Sequence, residues 1–315
     1  MRSKNSKKGW KSRRSPQNTR VSTQIRRQSE KTSASISGEN RCAPTPATHR
    51  PQLPAPAKAA RKGLCLWGQH AVEAAYLNPN RSIISAFATP EAQDRLHAFY
   101  EKLTPARQFA VPAPLILSRS EIDIMTSQRD NNQPSIHQGF ALHVRPLEGL
   151  DITDIITLVT QADDTPIRLL LLDQLTDPRN IGAILRSARA FGTDALIMTS
   201  RNAPEETGVL ARAAAGALES VPIVRVTNLA RALDQLKENH VTLIGLDAEG
   251  TVALDAFAKT PHLGLILGSE GSGMRRLTRE ACDHITAIDM DASSESLNVS
   301  VAAAIALYAT RPQAV

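Results

Sequence analysis

Hydrophobic and polar positions divide the chain into a polar leader and two stretches in which short apolar runs alternate with amphipathic segments. The first stretch opens at Leu64. There, residues 64–68 predict a short strand and turn, and 69–78 a helix stopped by Pro79. A strand at 83–87, a helix at 90–102, a strand at 109–117, a short helix at 120–127 and a strand at 139–144 follow. Short apolar runs between turn residues fit strands, and apolar positions three and four apart fit helices. Over about 85 residues this alternation predicts a small α/β domain. Residues 151–166 read as a linker with some local order. From Ile167 the alternation restarts, with strands predicted at 167–172, 195–199, 222–226, 241–246, 263–267 and 285–290 and helical patterns between most of them. Such regularity predicts a mainly parallel sheet covered on both faces. In its first strand the run Leu169-Leu170-Leu171-Leu172 is apolar throughout, as a central strand buried on both faces should be. A helix predicted at 296–310 closes the chain, and 297–310 contain no charged residue. A helix without a polar face is buried all round, so this one is expected to pack between its own sheet and a second partner.

In the leader, residues 1–62, apolar Trp10, Val21 and Ile25 stand alone among Ser, Gln, Asn, Arg and Lys, followed by Pro and Ala. That composition cannot offset its ordering entropy, so 1–62 is expected to be a disordered basic extension. The segment holds 16 Lys/Arg against Glu30 and Glu39, whereas the remaining chain holds 21 against 29 acids. The net charge of +6 therefore hides an acidic body behind a basic leader. A polyanion, RNA or DNA first, is the natural partner of such a leader. A solubilising tail without a specific partner stays open. So does a mitochondrial transit peptide, although apolar residues at helical spacing are missing. No apolar run approaches the roughly 18 residues of a membrane span. Cys42, Cys65 and Cys282 are far apart and form no C-x-x-C, so neither a disulfide framework nor a metal site is expected and the compartment reads as reducing and cytoplasmic. The expected organisation is thus 1–62 extension, 63–148 small domain, 149–166 linker and 167–315 larger α/β domain.

Candidate chemistry concentrates in three stretches of the larger domain. The run 263–267 breaks into Gly268-Ser269-Glu270-Gly271-Ser272-Gly273, where three glycines allow tight turns and close approach of a ligand to the backbone. A strand end, a glycine loop and a buried helix start together predict a ligand crevice at the carboxyl edge of the sheet. The glycine order is not the dinucleotide fingerprint, and no Gly-Lys-Ser/Thr makes a Walker loop. Glu270 would repel phosphate, so a ligand with a cationic centre, or hydrogen bonding to a sugar or base, suits the loop better. The second stretch runs from Asp173 to Ala188, a strand end leading into a helix with Pro178 in its first turn and Asp177 as cap. Wound as a helix, it clusters Ile181, Ile184, Leu185, Ala188 and Phe191 on one side and turns Arg179 and Arg186 to the other. A solvated arginine face and a phosphate-binding pair are both compatible with this pattern. The third stretch, Ser296-Leu297-Asn298-Val299-Ser300, puts polar side chains at the start of the charge-free helix, and Ser296 also reads as its cap. In the small domain, the polar segment 129–139 is either an RNA-contacting loop or a plain connection.

Together the three stretches resemble the motifs of the SpoU/TrmH family of RNA ribose 2′-O-methyltransferases: Asn180-x-Gly182-x-x-x-Arg186-Ser187-Ala188, Gly268-Ser269-Glu270-Gly271-x-Gly273-Met274 and Ser296-Leu297-Asn298-Val299-Ser300. In the small domain, Trp67-Gly68-Gln69-His70-Ala71-Val72-Glu73-Ala74 and His137-Gln138-Gly139 resemble the family's substrate-binding module. The resemblance spans about residues 64–310, nearest to the branch that methylates a guanosine ribose of 23S ribosomal RNA. It implies a SPOUT-type trefoil knot in the mainly parallel catalytic domain, a small RNA-binding α/β domain before it, a homodimer, and S-adenosylmethionine as methyl donor. By position, donor contacts fall on Gly268, Ile288 and Leu297. The family's catalytic arginine falls on Arg186; since arginine is always protonated in proteins, its expected role is to hold the target's phosphate and lower the hydroxyl's pKa. Asn180, Glu270, Ser296, Asn298 and Ser300 are expected to orient ribose and donor. Asp289, Ala292, Arg179 and Gln174 depart from the usual pattern and leave loop shape and target choice open. Transfer RNA as substrate, and a non-catalytic assembly factor, remain as alternatives; retention of Arg186, Glu270 and Asn298 argues against the second.

Overall fold

The structure, a computed structural model, describes residues 53–127, 135–163, 165–201, 204–291 and 296–312. The expected disorder over 1–52, the polar loop at 129–134 and the departure at Ala292 lie outside the described residues. Residues 55–62, expected to belong to the extension, instead form helix α1 (Ala55–Lys62), with prolines at its start and Arg61 and Lys62 at its end. It buries Ala57 and Ala60, and Leu53 before it, against the small domain.

β1 (Leu64–Trp67), α2 (Gln69–Leu77), β2 (Ile83–Ala88), α3 (Gln93–Glu101), α4 (Pro105–Ala110), β3 (Pro114–Ile116), α5 (Arg119–Thr126) and β4 (Phe140–Val144) complete that domain. Its sheet has the order β1-β4-β2-β3, with β4 antiparallel to β1 and β2, and β3 parallel to β2. The strand expected at 109–117 is only three residues long. Thr104 and Pro105 start a helix before it, and Arg107 donates to the carbonyls of Ala75, Tyr76 and Arg81, capping the end of α2. The expected linker likewise contains a helix, α6 (Ile152–Thr160), started by a capping box of Asp151 and Asp154 and docked through Ile155 and Val159.

The larger sheet comprises β5 (Ile167–Leu172), β6 (Ala195–Thr199), β7 (Ile223–Val226), β8 (Thr242–Leu246), β9 (Val252–Ala253), β10 (His262–Leu267) and β11 (His284–Ala287). All neighbours are parallel, in the order β7-β6-β5-β10-β8-β11-β9. The helices are α7 (Pro178–Ala190), α8 (Gly208–Ala214), α9 (Leu229–Glu238), α10 (Arg276–Ala281) and α11 (Val299–Thr310). One face is buried under α7 and α11, the other under α6 and α9. β5 is buried at all six positions, including Arg168, whose guanidinium donates to Ala258 O, Pro261 O and Thr310 O and so ties down the end of α11. β11 stops at Ala287 rather than at 290, because its edge partner β9 has only two residues. α11 starts at Val299, three residues later than expected.

The small domain meets the body through α8 and the short turn that follows it. Gly208 leaves no room for a Cβ beside the Trp67 ring. Arg81, 0% exposed, donates to Glu219 and Glu206 of the body and to Arg145 O. A buried charge is costly unless fully paired, and here two carboxylates and a carbonyl pair it. Among the described residues no helix is long and apolar enough to cross a membrane.

Candidate active site

Because every strand of the large sheet runs the same way, its carboxyl ends share one edge. The strand order switches direction where β10 inserts between β5 and β8, which is where open α/β sheets form ligand crevices. After β10 the chain makes a tight hairpin. Ser269 and Gly273 exchange both backbone hydrogen bonds, and Gly271 and Gly273 adopt φ of 85° and 65°. Gly268 must be glycine, since a Cβ there would lie 2.1 Å from the Gly273 carbonyl carbon. The hairpin carries Glu270 outward at its tip.

Glu270 joins the three motifs. Its Oε1 accepts from Asn298 Nδ2 at 2.8 Å, from the Val299 amide at 3.1 Å and from Asn180 Nδ2 at 3.3 Å. Asn298 Nδ2 also donates to Asn180 Oδ1 at 3.3 Å. Asn298, not Ser296, is the cap of α11: its Oδ1 accepts from the Ser300 amide at 2.9 Å and from Ser300 Oγ at 2.5 Å. The carboxylate therefore sits at a helix N-terminus, where negative charge is favoured, and it organises its own neighbours while remaining exposed.

The other expected residues surround this cluster without bonding to it. Arg186 is exposed on α7, about 9 Å along the axis from Asn180 by helix geometry, and among the described residues its side chain has no hydrogen-bond or ion-pair partner. Ser296 is exposed and Leu297 half-buried just before α11, while Ile288 packs against the core at the end of β11. Half-buried apolar Ile288 and Leu297, an open glycine hairpin and a carboxylate match what an adenosyl group joined to a sulfonium cation requires, so the residues present fit the expected donor.

Two supports of this edge have no role in the sequence reading, although the second stretch begins at the first of them. Asp173, 0% exposed, follows β5. Its amide donates to Leu267 O before the hairpin, and its carboxylate accepts from the Arg275 amide at 2.9 Å and Nε at 2.8 Å after it. One residue thus fixes both ends of the glycine loop. Asp247, after β8, accepts from Arg279 of α10 at 2.5 Å, while Gly250 abuts the backbone of Thr286. No local pattern signals either residue. Burial pushes the thiol of Cys282 up to about 11 and that of Cys65 up to about 12, which disfavours their thiolate forms.

In the small domain, the two stretches singled out in the sequence meet, since Gln138 Oε1 accepts from the Gln69 amide at 2.9 Å. His137 Nδ1 accepts from the Gly139 amide, leaving Nε2–H to donate to Asp123, and burial lowers its pKa. That makes His137 a neutral brace for the turn. A cleft of about 2450 Å³ lies apart from the cluster, reaching it only at Asp177–Arg179. Arg61, Lys62, Arg145 and Arg225 line it together with Glu148, Glu205, Glu206 and Glu219, so its charge is mixed.

The profile of the SpoU rRNA Methylase family matches residues 168–308. The 23S rRNA (guanosine-2'-O-)-methyltransferase RlmB of Coxiella burnetii is 36% identical over 249 residues, 79% of this chain and 95% of that protein. RlmB of Haemophilus ducreyi is 36% identical over 77% of this chain and 95% of its own length. Among solved structures, the SpoU methyltransferase AviRb from Streptomyces viridochromogenes in complex with AdoMet superposes with a TM-score of 0.60 at 22% identity, covering 82% of this chain and 93% of that one.

Proposed function

This chain belongs to the SpoU rRNA methylase family, and from that membership we infer that it transfers a methyl group from S-adenosylmethionine to a ribose 2′-hydroxyl of RNA, a guanosine of 23S ribosomal RNA. The observation that carries the reading is the convergence of Asn180, Glu270 and Asn298, from three distant motifs, on one hydrogen-bonded cluster at the sheet's switch point. When bound, S-adenosylmethionine supplies an electrophilic methyl on a sulfonium sulfur. Gly268, Ile288 and Leu297 would hold it, at the base of the hairpin and in the segment before α11. Asn180, Glu270, Asn298 and Ser300, with Ser296 beside them, orient the ribose; positioning of this kind supplies much of the rate. Arg186 binds the target's phosphate with its forked guanidinium and favours the alkoxide form of the hydroxyl by its charge.

The reading includes a SPOUT-type trefoil knot, supported by family membership and by the chain's return from β11, beyond β8, to α11 against α7. It includes a homodimer, supported by the unsatisfied face of α11, where Val301, Ile305 and Tyr308 are 46%, 39% and 54% exposed at successive turns. The small domain binds RNA, and the compartment is the cytoplasm, supported by the ribosomal substrate and the free Cys65 and Cys282. The experiment is to incubate the purified full-length protein with labelled donor and unmodified 23S ribosomal RNA, then map 2′-O-methylation. A single marked guanosine is expected. Label on transfer RNA alone would redirect the substrate, and failure both to retain donor and to mark RNA would overturn the reading.

A further inference from the structure

Helices α7 and α8, packed closely together beside the cluster, carry Arg179, Arg186, Arg189 and Arg212 and no carboxylate. Their approach is tight: a Cβ on Gly182 would lie 2.5 Å from Ala213 Cβ and 2.7 Å from Leu210 O. Arg186, four residues after Gly182, stands on the flank that faces α8. About one further turn on, Arg189 Nη1 comes within 3.5 Å of the Cβ position of Gly216, a point 3.2 Å from His70 O. Arg212 lays its stem against Gly68, with Cγ 3.7 Å from the Cβ position there. From the small domain, Arg95 donates to Gln138 O at 3.4 Å and lies 5.0 Å from the centroid of the Phe140 ring. Thus a line of exposed guanidinium groups leaves the methylation site along α7 and reaches the Gly68–His70 turn and Gln138, the two small-domain stretches that the chemistry at Glu270 does not use.

Contiguity, and the lack of any carboxylate on α7 and α8, separate this ridge from the chain's other exposed arginines. Arg81, Arg275, Arg276 and Arg279 pair with carboxylates, whereas other described arginines such as Arg225 and Arg231 do not. Among the described residues, Arg95, Arg186, Arg189 and Arg212 form no ion pair, and the carboxylate of α2, Glu73, is engaged by Lys102. Three of these, Arg186, Arg189 and Arg212, stand on the packed pair α7 and α8, and a polyanion would relieve their mutual repulsion. The cleft, lined by both acidic and basic residues, offers no such run of one sign.

We propose that Arg189, Arg212 and Arg95 extend the site into a phosphate-binding track for the RNA strand that carries the target nucleotide, running from Arg186 across α8 to the small domain. The proposal rests on the reading of this protein as an RNA methyltransferase. It fixes the small domain as the second half of one continuous RNA surface, with guanidinium forks gripping phosphates bidentately and no base read by these residues.

The test measures affinity of the full-length protein for unmodified 23S ribosomal RNA across a salt series. Arg189→Gln and Arg212→Gln should each weaken binding at low salt by roughly three- to tenfold and flatten the log Kd against log salt slope by about 0.7, the double variant by about 1.4. Arg→Lys at both positions should keep the slope. Donor affinity and melting temperature should stay at wild-type values, as should the slope of Arg231→Gln, a control on the far helix α9. Unchanged slopes in the Gln variants, with wild-type protein methylating the same RNA, would overturn the track alone. A wild-type protein that marks no ribose would sink the methyltransferase reading and the track with it.

Discussion

Glu270 and Arg186 differ as an organised charge differs from a free one. Glu270 is held by two amide side chains and a helix N-terminus, whereas Arg186 is exposed and unpartnered among the described residues. If Arg186 acts as a forked phosphate clamp, Arg186→Lys keeps the charge and loses the geometry. Turnover should then fall about a hundredfold while RNA affinity changes little. Near-wild-type turnover in a single-turnover methylation assay would remove the clamp. At this scale the sequence was partly legible. Motif order pointed to Asn180, Glu270 and Asn298, but Ser296 and Asn298 are equally good caps by chemistry, and only the true helix start chooses Asn298. Asp173 opens the second stretch, but its role stayed hidden because its bonds to Arg275 span 102 positions and leave no local spacing to read.

Among elements, the glycine hairpin and α11 are the two that the site depends on, and each makes a separate prediction. Asp173 clamps both ends of the hairpin, so Asp173→Asn should weaken S-adenosylmethionine binding about tenfold and lower the melting temperature, as loss of one partner of an ion pair does. RNA affinity measured without donor should be unaffected. Calorimetric titration with donor checks this, and an unchanged donor affinity would mean that the clamp is only structural. On α11, Ile305→Glu places a charge in the apolar face formed with Val301 and Tyr308. It should convert dimer to monomer by light scattering, without loss of helix content, because position 305 is exposed within the single chain. A dimer that survives this change must use another face. Elements with strong apolar periodicity, β5, β6 and α7, were legible from sequence alone. α1, α4 and α6 were not, since their starts depend on Pro and capping side chains and their buried faces are small: two alanines in α1, Ile155 and Val159 in α6, and no buried residue in α4.

At the scale of the molecule, the chain joins an acidic body to a basic leader, and the boundary between them is a physical question about α1. Composition places the whole of 1–62 in the leader, yet Leu53, Ala57 and Ala60 cover Trp67, Phe87 and Ile122 in the outer core of the small domain. Segregation of charge and burial of apolar surface therefore mark different boundaries, which composition alone could not separate. Residues 1–52 carry 13 Lys/Arg against Glu30 and Glu39, so most of the positive charge lies before α1. Two truncations follow from this. Removing 1–52 should weaken RNA binding most at low salt, because released counterions drive such contacts, and should leave the melting temperature and donor affinity unchanged. Removing 1–62 should lose the same salt-dependent affinity and, in addition, melt several degrees lower by scanning calorimetry, since uncovering that core removes roughly 25 cal/mol of stabilisation per Å² of apolar surface. Equal melting of the two truncated proteins would show that α1 contributes nothing to the fold. Equal RNA affinity of the shorter truncation and the full chain at every salt concentration would show that the leader does not touch RNA, leaving the arginines of α7 and α8 as the basic surface that does.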